Sequence, residues 1–254
     1  MGGWALKPGD RQAEILLCVE RDGEVSVPDL AARFEVSAET IRRDLAHLAA
    51  TGALQKVHGG ARRVRLHVES SFEERISEQA AEKAIIAQKL RGLVSPGDTC
   101  FIDTGTTTLV CAQAIADVPE LTVITNSLHI ARLMGAGRGR VFLLGGNFAA
   151  DNDETVGPIA LAQIAQFRAD YAVIGAAALD LEAGPMDANF EEAAIARAMC
   201  AHASKIIVVA GSAKYGKRAL HRVCRLEDVD TIVSDKAPGE AFQAALNTAK
   251  VKLI

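Results

Sequence analysis

Short β-branched segments alternate with longer helical segments over the second part of the chain, and this alternation limits the fold more than any other feature. The segments predicted as strands are residues 99–103, 121–125, 140–144, 171–175, 205–210 and 231–234. The helices predicted to separate them lie near residues 107–117, 127–135, 156–166, 189–203 and 238–248. This pattern is typical of an α/β domain whose mainly parallel sheet is covered on both faces and binds ligands at the carboxyl ends of its strands.

Composition adds limits of its own. Of the 254 residues, 49% are hydrophobic and 24% are charged, which is far from the composition of a disordered chain. No segment approaches the ~20 consecutive apolar residues of a membrane span, so we expect no membrane partner. The five cysteines are scattered and lack metal-ligand spacing. This usage favours a reduced, cytoplasmic environment and no bound metal.

Three helices separated by short turns are predicted at the start of the chain. The first covers about residues 10–21, the second begins at Ser26, and the third opens at Ser37 only three residues after the second ends. At ~100° per residue, one side of the third helix is apolar and Arg43 lies nearly opposite it. The apolar side consists of Ile41, Leu45 and Leu48. Such a pair of helices is typical of a helix-turn-helix, whose second helix enters the major groove of DNA.

A basic segment follows the third helix. Residues 54–57 are predicted as a strand, 58–60 as a turn and 61–64 as a second strand, which together form a two-stranded wing. Residues 37–66 carry six basic and two acidic side chains, although the whole chain has a formal charge of -4. A cationic patch on an acidic protein indicates one face that meets phosphates. Ordinary solvated charge is the alternative for each residue taken alone.

The N-terminal pattern therefore predicts a DNA-binding domain over residues 1–61. A polar linker is predicted over residues 62–71, and the alternating strands and helices predict a ligand-binding domain over residues 72–254. The residues expected to contact double-stranded DNA are Ser37, Thr40, Arg42, Arg43, Lys56, His58 and Arg62. One small helix makes few contacts, so we expect a homo-oligomer, a dimer or tetramer, that binds repeated half-sites.

The first predicted strand of the second domain ends in a phosphate-binding pattern. Asp103 and Thr104 precede Gly105 and three successive threonines, which lead directly into a helix. Glycine allows an anion to approach the backbone, the threonines add hydroxyl donors, and the helix N-terminus supplies free N–H groups. A plain helix cap is the alternative explanation. The pattern matches no nucleotide-binding motif, and we expect no cofactor.

Polar and glycine residues also follow the other predicted strands. Because these strand ends meet at one edge of a parallel sheet, we expect them to share a ligand, with Lys214 near its phosphate and Asp103 near sugar hydroxyls. The predicted ligand-binding residues are Asp103, Gly105, Thr106, Thr107, Thr108, Thr125, Asn126, Ser127, Gly146, Gly175 and Lys214. A phosphorylated sugar or polyol satisfies both kinds of contact.

Two groups of motifs resemble the DeoR family of bacterial transcription repressors. The N-terminal group is residues 36–45 with 56–61, and the C-terminal group is residues 103–107, 122–127, 144–146 and 214–216. The resemblance implies a winged helix-turn-helix followed by an effector domain related in fold to ribose-5-phosphate isomerase. Residues 165–170 look most like the glycerol-3-phosphate repressors of that family, which implies release of the operator by such a metabolite.

Three positions depart from the family pattern. Lys56 stands where the family usually has arginine, which keeps the charge but loses the two-pronged donor. Gly211 and Ala213 stand where an acidic residue and a serine are common, so a polar contact near the ligand is missing or replaced.

Two other functions remain alternatives to a ligand-responsive repressor. A sugar-phosphate isomerase needs a carboxylate base and a partner acid, whereas residues 175–178 read Gly-Ala-Ala-Ala where related isomerases have an acidic pair. Glu191 and Glu192 are better explained as charges that match a helix dipole. A purely structural oligomer module leaves the phosphate-binding pattern unexplained.

Overall fold

The computed structural model describes residues 6–50, 53–57, 59–62 and 71–254. Its N-terminal part is a winged helix-turn-helix with helices α1 (Pro8–Asp22), α2 (Val27–Arg33) and α3 (Ala38–Ala50), and strands β1 (Glu24–Ser26), β2 (Gln55–Val57) and β3 (Gly60–Arg62). The three strands form one antiparallel sheet in the order β1-β3-β2. The predicted wing therefore has a third strand, β1, which is too short to show strand periodicity in the sequence.

The apolar side chains predicted to face inward form the core of this N-terminal part. Ile41 and Leu45 of α3 are at most 1% exposed and pack with Ile15 of α1. The side chain of Ser26 accepts a hydrogen bond from the backbone N–H of Asp29 at 3.2 Å, so Ser26 caps α2 as its position in the sequence suggests. The capped helices hold the opposite face of α3 at the surface.

A buried ion pair fixes α3 against α1. The Nε of Arg11 lies 2.6 Å from Asp44 Oδ2, and both side chains are less than 10% exposed. Gln12 Nε2 donates to the other oxygen of Asp44 at 3.0 Å. Asp44 thus pairs with α1 and not with Arg42 or Arg43, the two arginines that precede it in α3.

The C-terminal part is an α/β domain. Its strands are β4 (Thr99–Ile102), β5 (Thr122–Thr125), β6 (Arg140–Leu143), β7 (Asn147–Ala149), β8 (Glu154–Val156), β9 (Ala169–Ile174), β10 (Ala178–Asp180), β11 (Gly184–Asp187), β12 (Ala203–Val209), β13 (His221–Arg222), β14 (Thr231–Val233) and β15 (Lys252–Leu253). Its helices are α4 (Phe72–Ser77), α5 (Ala80–Arg91), α6 (Thr106–Ile115), α7 (Leu128–Gly135), α8 (Pro158–Ile164), α9 (Phe190–Ala201) and α10 (Glu240–Ala249).

Seven of these strands form a parallel sheet in the order β15-β14-β12-β9-β4-β5-β6, which confirms the predicted fold class. Alternate side chains enter two apolar layers. Phe101 and Ile124 pack in the layer with α8, α9 and α10, while Cys100 and Ile102 pack in the layer with α5, α6 and α7. Burial of both faces explains why these strands read as continuous apolar runs.

Several elements differ from the sequence prediction. Residues 72–94 have a helical pattern that predicts one long helix, but they contain two helices, because Glu78 is extended and Gln79 adopts a left-handed conformation with φ of 53°. The β7–β8 hairpin and the small antiparallel sheet β10-β11-β13 were not predicted. Their strands are two to four residues long, and segments of that length show no clear period.

Candidate nucleic-acid interface and ligand cleft

The start of α3 presents the predicted DNA-contacting side chains to solvent. Ser37 Oγ accepts a hydrogen bond from the backbone N–H of Thr40 at 3.1 Å, and the two hydroxyl oxygens lie 2.9 Å apart. The side chains of Arg42 and Arg43 are 61% and 82% exposed. Both lie near Glu39, at 3.4 and 3.7 Å. Exposed pairs of this kind contribute little, so both guanidinium groups can exchange Glu39 for a base edge or a phosphate.

The wing presents two further cations. Lys56 on β2 is exposed and Arg62 on β3 is half-buried. Gly60 between them packs against β1, where a Cβ atom would clash with the carbonyl oxygen of Val25. His58 lies outside the described residues, so its predicted DNA contact stays a prediction. Contacts of Lys56 and Arg62 with DNA likewise stay predictions.

A cleft with a volume of about 70 Å³ opens at the carboxyl ends of β4, β9 and β12. Seven of the predicted ligand residues line it together. They are Asp103, Gly105, Thr106, Thr107, Thr108, Gly175 and Lys214. The cleft is also lined by charged or polar residues that the sequence interpretation did not include, which are Arg75, Glu78, Gln79, Glu82, Lys83, Thr104, Asp187 and Glu192.

The N-terminus of α6 forms one wall of the cleft. Gly105 precedes this helix and contributes no capping side chain, while Thr108 Oγ1 donates to the Gly105 carbonyl at 2.9 Å. A Cβ atom at position 105 would lie 3.0 Å from the Thr108 hydroxyl. The first N–H groups of a helix have no intrahelical acceptor, so this wall offers backbone donors and the positive end of a dipole. Both favour an anion.

Asp103 closes the floor of the cleft. It is 7% exposed, and its two carboxylate oxygens accept hydrogen bonds from the Gly175 N–H at 3.0 and 3.1 Å. This contact joins the ends of β4 and β9. Each carboxylate oxygen has a second lone pair with which it could also accept a ligand hydroxyl.

Two cations that line the cleft come from α4 and α5. Lys83 is 6% exposed, and its Nζ donates to the carbonyl of Arg75. The Arg75 Nη2 donates to Asn152 Oδ1 at 2.8 Å. A sequence signal for Lys83 exists, because it precedes Ile86 and Leu90 at helical spacing and so lies on the buried face of α5. A lysine on such a face needs a partner or an anionic ligand.

Four predicted ligand residues lie outside the lining of this cleft. Ser127 caps α7 by accepting from the Ile130 N–H at 3.4 Å, and Thr125 Oγ1 accepts from the Ser127 N–H at 3.1 Å. Asn126 Nδ2 donates to Glu154 Oε2 at 2.8 Å. Gly146 packs against β8 and α8. The contacts described for these residues hold the fold, and a ligand contact by any of them stays a prediction.

The unusual Gly211 lies in the cleft beside Gln79. A Cβ atom at position 211 would be 3.4 Å from Gln79 Oε1. The side-chain amide of Gln79 therefore lies close to the position where an acidic side chain is common in the family that the sequence resembles. Ser212 Oγ donates to Asp235 at 2.9 Å, whereas Ala213 is exposed.

No helix in the described part of the chain has the length and apolar character to cross a bilayer. Within the same residues, no group of three or more His, Cys, Asp or Glu side chains could hold a metal ion.

The chain joins a helix-turn-helix with an exposed basic face to an α/β domain with a polar cleft. This combination is typical of a DNA-binding regulator that responds to a ligand. Residues 11–65 match the DeoR-like helix-turn-helix domain and residues 78–236 match the DeoR C terminal sensor domain. The chain belongs to the DeoR family and is a DNA-binding transcriptional repressor with a C-terminal sensor domain. As a member of this repressor family it is not an enzyme.

Named relatives span nearly the whole chain. The HTH-type transcriptional repressor CsqR of Escherichia coli (strain K12) is 32% identical over 250 residues, which cover 98% of this chain and 96% of the relative. The glycerol-3-phosphate regulon repressor of the same organism is 30% identical over 249 residues, which cover 98% and 99%. The solved structure of ribose 5-phosphate isomerase A from Methanocaldococcus jannaschii aligns with a TM-score of 0.41 and 13% identity, covering 54% of this chain and 55% of that chain.

Proposed function

We propose that this repressor controls an operon for sugar or polyol catabolism and releases its operator when a phosphorylated metabolite occupies the cleft. The observation that carries the proposal is the N-terminus of α6 with Gly105, together with Lys83 and Lys214 on the same cleft. A phosphate dianion would accept hydrogen bonds from the backbone N–H groups and threonine hydroxyls of this wall. The positive charges of the lysines would attract it as well. The carboxylates of Asp103 and its neighbours suit the hydroxyl groups of the same ligand.

The effector we favour is a small polyol phosphate such as glycerol 3-phosphate. The relative named as a glycerol-3-phosphate regulon repressor supports this choice, and it shares 30% identity over nearly the full chain. The name of CsqR specifies no ligand, so the support comes from one of the two relatives. A thermal-shift screen of phosphorylated sugars and polyols, with the unphosphorylated compounds as controls, separates this effector from its alternatives.

On the DNA side, we propose that the repressor acts in the cytoplasm as a dimer or tetramer. Two copies of α3 would read the two half-sites of an operator, because two-fold symmetry doubles the few base contacts that one helix makes. Arg42, Arg43 and Thr40 would face the groove, while Lys56, His58 and Arg62 would contact the backbone or minor groove. Ser37, which caps the start of α3, would contact a phosphate.

The proposal is tested by operator gel shifts with Lys214→Ala and Thr106→Val. A ligand changes DNA affinity only through a difference in its affinity for two arrangements of the protein. Both variants should therefore bind the operator normally without ligand and need more glycerol 3-phosphate for release. The lysine change should have the larger effect, because it removes a full charge from a dianion site. Folded variants that lose operator binding without any ligand would contradict this role of the cleft.

A further inference from the structure

A buried carboxyl group lies behind the wall of the cleft. Glu154 on β8 is 1% exposed and does not line the cleft. Its Oε2 accepts a hydrogen bond from Asn126 Nδ2 at 2.8 Å, and the neighbouring side chain of Asn152 lowers the pKa of this carboxyl. The hydrogen bond from Asn126 joins β8 to the chain that follows β5.

Two short routes join Glu154 to the cleft. One runs through Thr104, which lines the cleft and whose hydroxyl interacts with the Glu154 carboxyl. The other runs through Asn152, whose Nδ2 donates to Glu192 Oε1 at 2.8 Å and whose Oδ1 accepts from Arg75 Nη2 at 2.8 Å. Glu192 and Arg75 both line the cleft. The neighbours of Glu154 therefore connect it to residues that line the cleft.

Two buried oxygen atoms beside this carboxyl lack a donor. Among the residues that the structure describes, Thr104 Oγ1 and Asn126 Oδ1 have no hydrogen-bond partner of normal geometry. The Asn126 amide cannot be reversed, because its Nδ2 already donates to Glu154 and to the Thr155 carbonyl at 3.2 Å. A protonated carboxyl carries one O–H donor that an ionised one lacks. The surroundings of Glu154 thus suit a carboxylic acid that can donate.

Burial raises the pKa of Glu154 to about 7, against the neighbouring side chains of Thr104, Asn126 and Asn152, which lower it, while the charge of Asp187 raises it further. Its carboxyl therefore changes charge near neutral pH. Charged groups reach this region from every neighbouring element. They are Asp187 on β11, Glu192 on α9, Arg75 on α4, Asp103 at the end of β4, and Asp153, whose Oδ2 lies 3.2 Å from Nε2 of His129 on α7.

We propose that Glu154 is a positioning residue of the effector site, which takes up a proton when a phosphate binds and then directs the Thr104 hydroxyl toward the ligand. This inference rests on the proposed function of the cleft. With Glu154 ionised, the Thr104 hydroxyl turns toward the carboxylate. With Glu154 protonated, the acid can donate to Thr104 Oγ1, and the threonine O–H is free to donate to the ligand. Loss of the negative charge also removes repulsion of an anion.

The sign of the effect follows from linkage. An anion that prefers the protonated form of Glu154 binds more tightly at low pH, and its affinity falls as the pH rises through about 7. One unit charge that acts across several ångströms of protein changes the affinity about fivefold. Proton uptake on binding is the reciprocal observation.

The test is calorimetric titration of the full chain with sulfate, a dianion that does not titrate between about pH 6 and about pH 8. The wild type should lose about fivefold in affinity over this range. Glu154→Gln, which has nearly the same shape and no charge, should bind as the wild type does at low pH and show no such loss. Glu191→Gln is the matched control, because Glu191 is exposed at the start of α9 and does not line the cleft. It should keep the wild-type dependence.

Two outcomes would overturn the role of Glu154. One is an unchanged pH dependence in Glu154→Gln, and the other is weak sulfate binding by this variant at every pH. Failure of the cleft itself looks different, because sulfate affinity would then not respond to Lys214→Ala at any pH. A second measurement needs no ligand. Because the pKa of Glu154 is raised from 4.5 to about 7 in the folded protein, ionisation of this carboxyl destabilises the fold as the pH rises between these values. The Tm of Glu154→Gln should therefore increase relative to that of the wild type as the pH rises.

Discussion

The arginines of α3 and the lysine of α5 have opposite environments. Arg42 and Arg43 are 61% and 82% exposed, and both lie near the carboxylate of Glu39, at 3.4 and 3.7 Å. Lys83 is 6% exposed and hydrogen-bonds a carbonyl within its own domain. Exposed charges are solvated and adapt to a partner, whereas a buried charge keeps one position set by its neighbours. DNA contacts should therefore act nearly independently, while cleft residues should act together.

We expect the largest effect from the removal of a buried charge in the DNA-binding part. Asp44→Ala leaves Arg11 buried without its partner, and breaking a buried pair in this way costs about 3–5 kcal/mol. We expect the N-terminal part to unfold at a lower denaturant concentration and operator binding to fall with it. Glu39→Ala is the exposed control and should change stability by less than ~1 kcal/mol. Equal losses in the two variants would remove the distinction between buried and exposed charges.

Arg43→Ala is expected to have an intermediate effect. If Arg43 contacts a base with both arms of its guanidinium group, its loss should weaken operator affinity by ~1–3 kcal/mol without changing the thermal stability. Competition gel shifts against nonspecific DNA measure this, since the specific affinity should fall more than the nonspecific one. Unchanged operator affinity in the folded variant would show that Arg43 is not a reading residue.

The smallest effects are expected in the wing. Lys56→Ala and Arg62→Ala should weaken binding to all sequences alike, and each neutralised phosphate contributes about 0.9 to the slope of log affinity against log salt. Titrations at several salt concentrations with operator and random DNA give this slope. A loss of preference at one base position in Arg62→Ala would instead assign that residue to sequence readout.

The two parts of the protein also differ in how well the sequence predicts them. The apolar face of α3 is a local pattern in which Ile41, Leu45 and Leu48 repeat within one helix, so its opposite face could be predicted directly. The loop from Asp103 to Thr108 is local too, and the structure places it in the cleft as expected. Whether these residues bind DNA and ligand is what the experiments above decide.

The rest of the cleft depends on a helix break and on a short hairpin, neither of which the periodicity of the sequence shows. Arg75 and Lys83 reach it because the helix is broken at Gln79, where neither glycine nor proline marks the turn. Glu154 reaches its position through a three-residue hairpin strand. Conversely, Thr125 ends β5 and Ser127 follows it, as expected, but their hydroxyls are used in local hydrogen bonds beside α7. Position at a strand end therefore does not by itself place a side chain in the cleft.

The strand order of the large sheet sets the sequence in which the two parts can fold. The N-terminal core closes within residues 15–61, whereas Cys100 of β4 pairs with Tyr171 of β9, and β9 pairs in turn with β12, which ends at Val209. Long-range parallel pairing is slow, and a chain folds from its N-terminus as it is synthesised. The DNA-reading part can thus form on the ribosome before the cleft exists. During that interval, or in a chain truncated before β12, a repressor domain would be present that no metabolite could control.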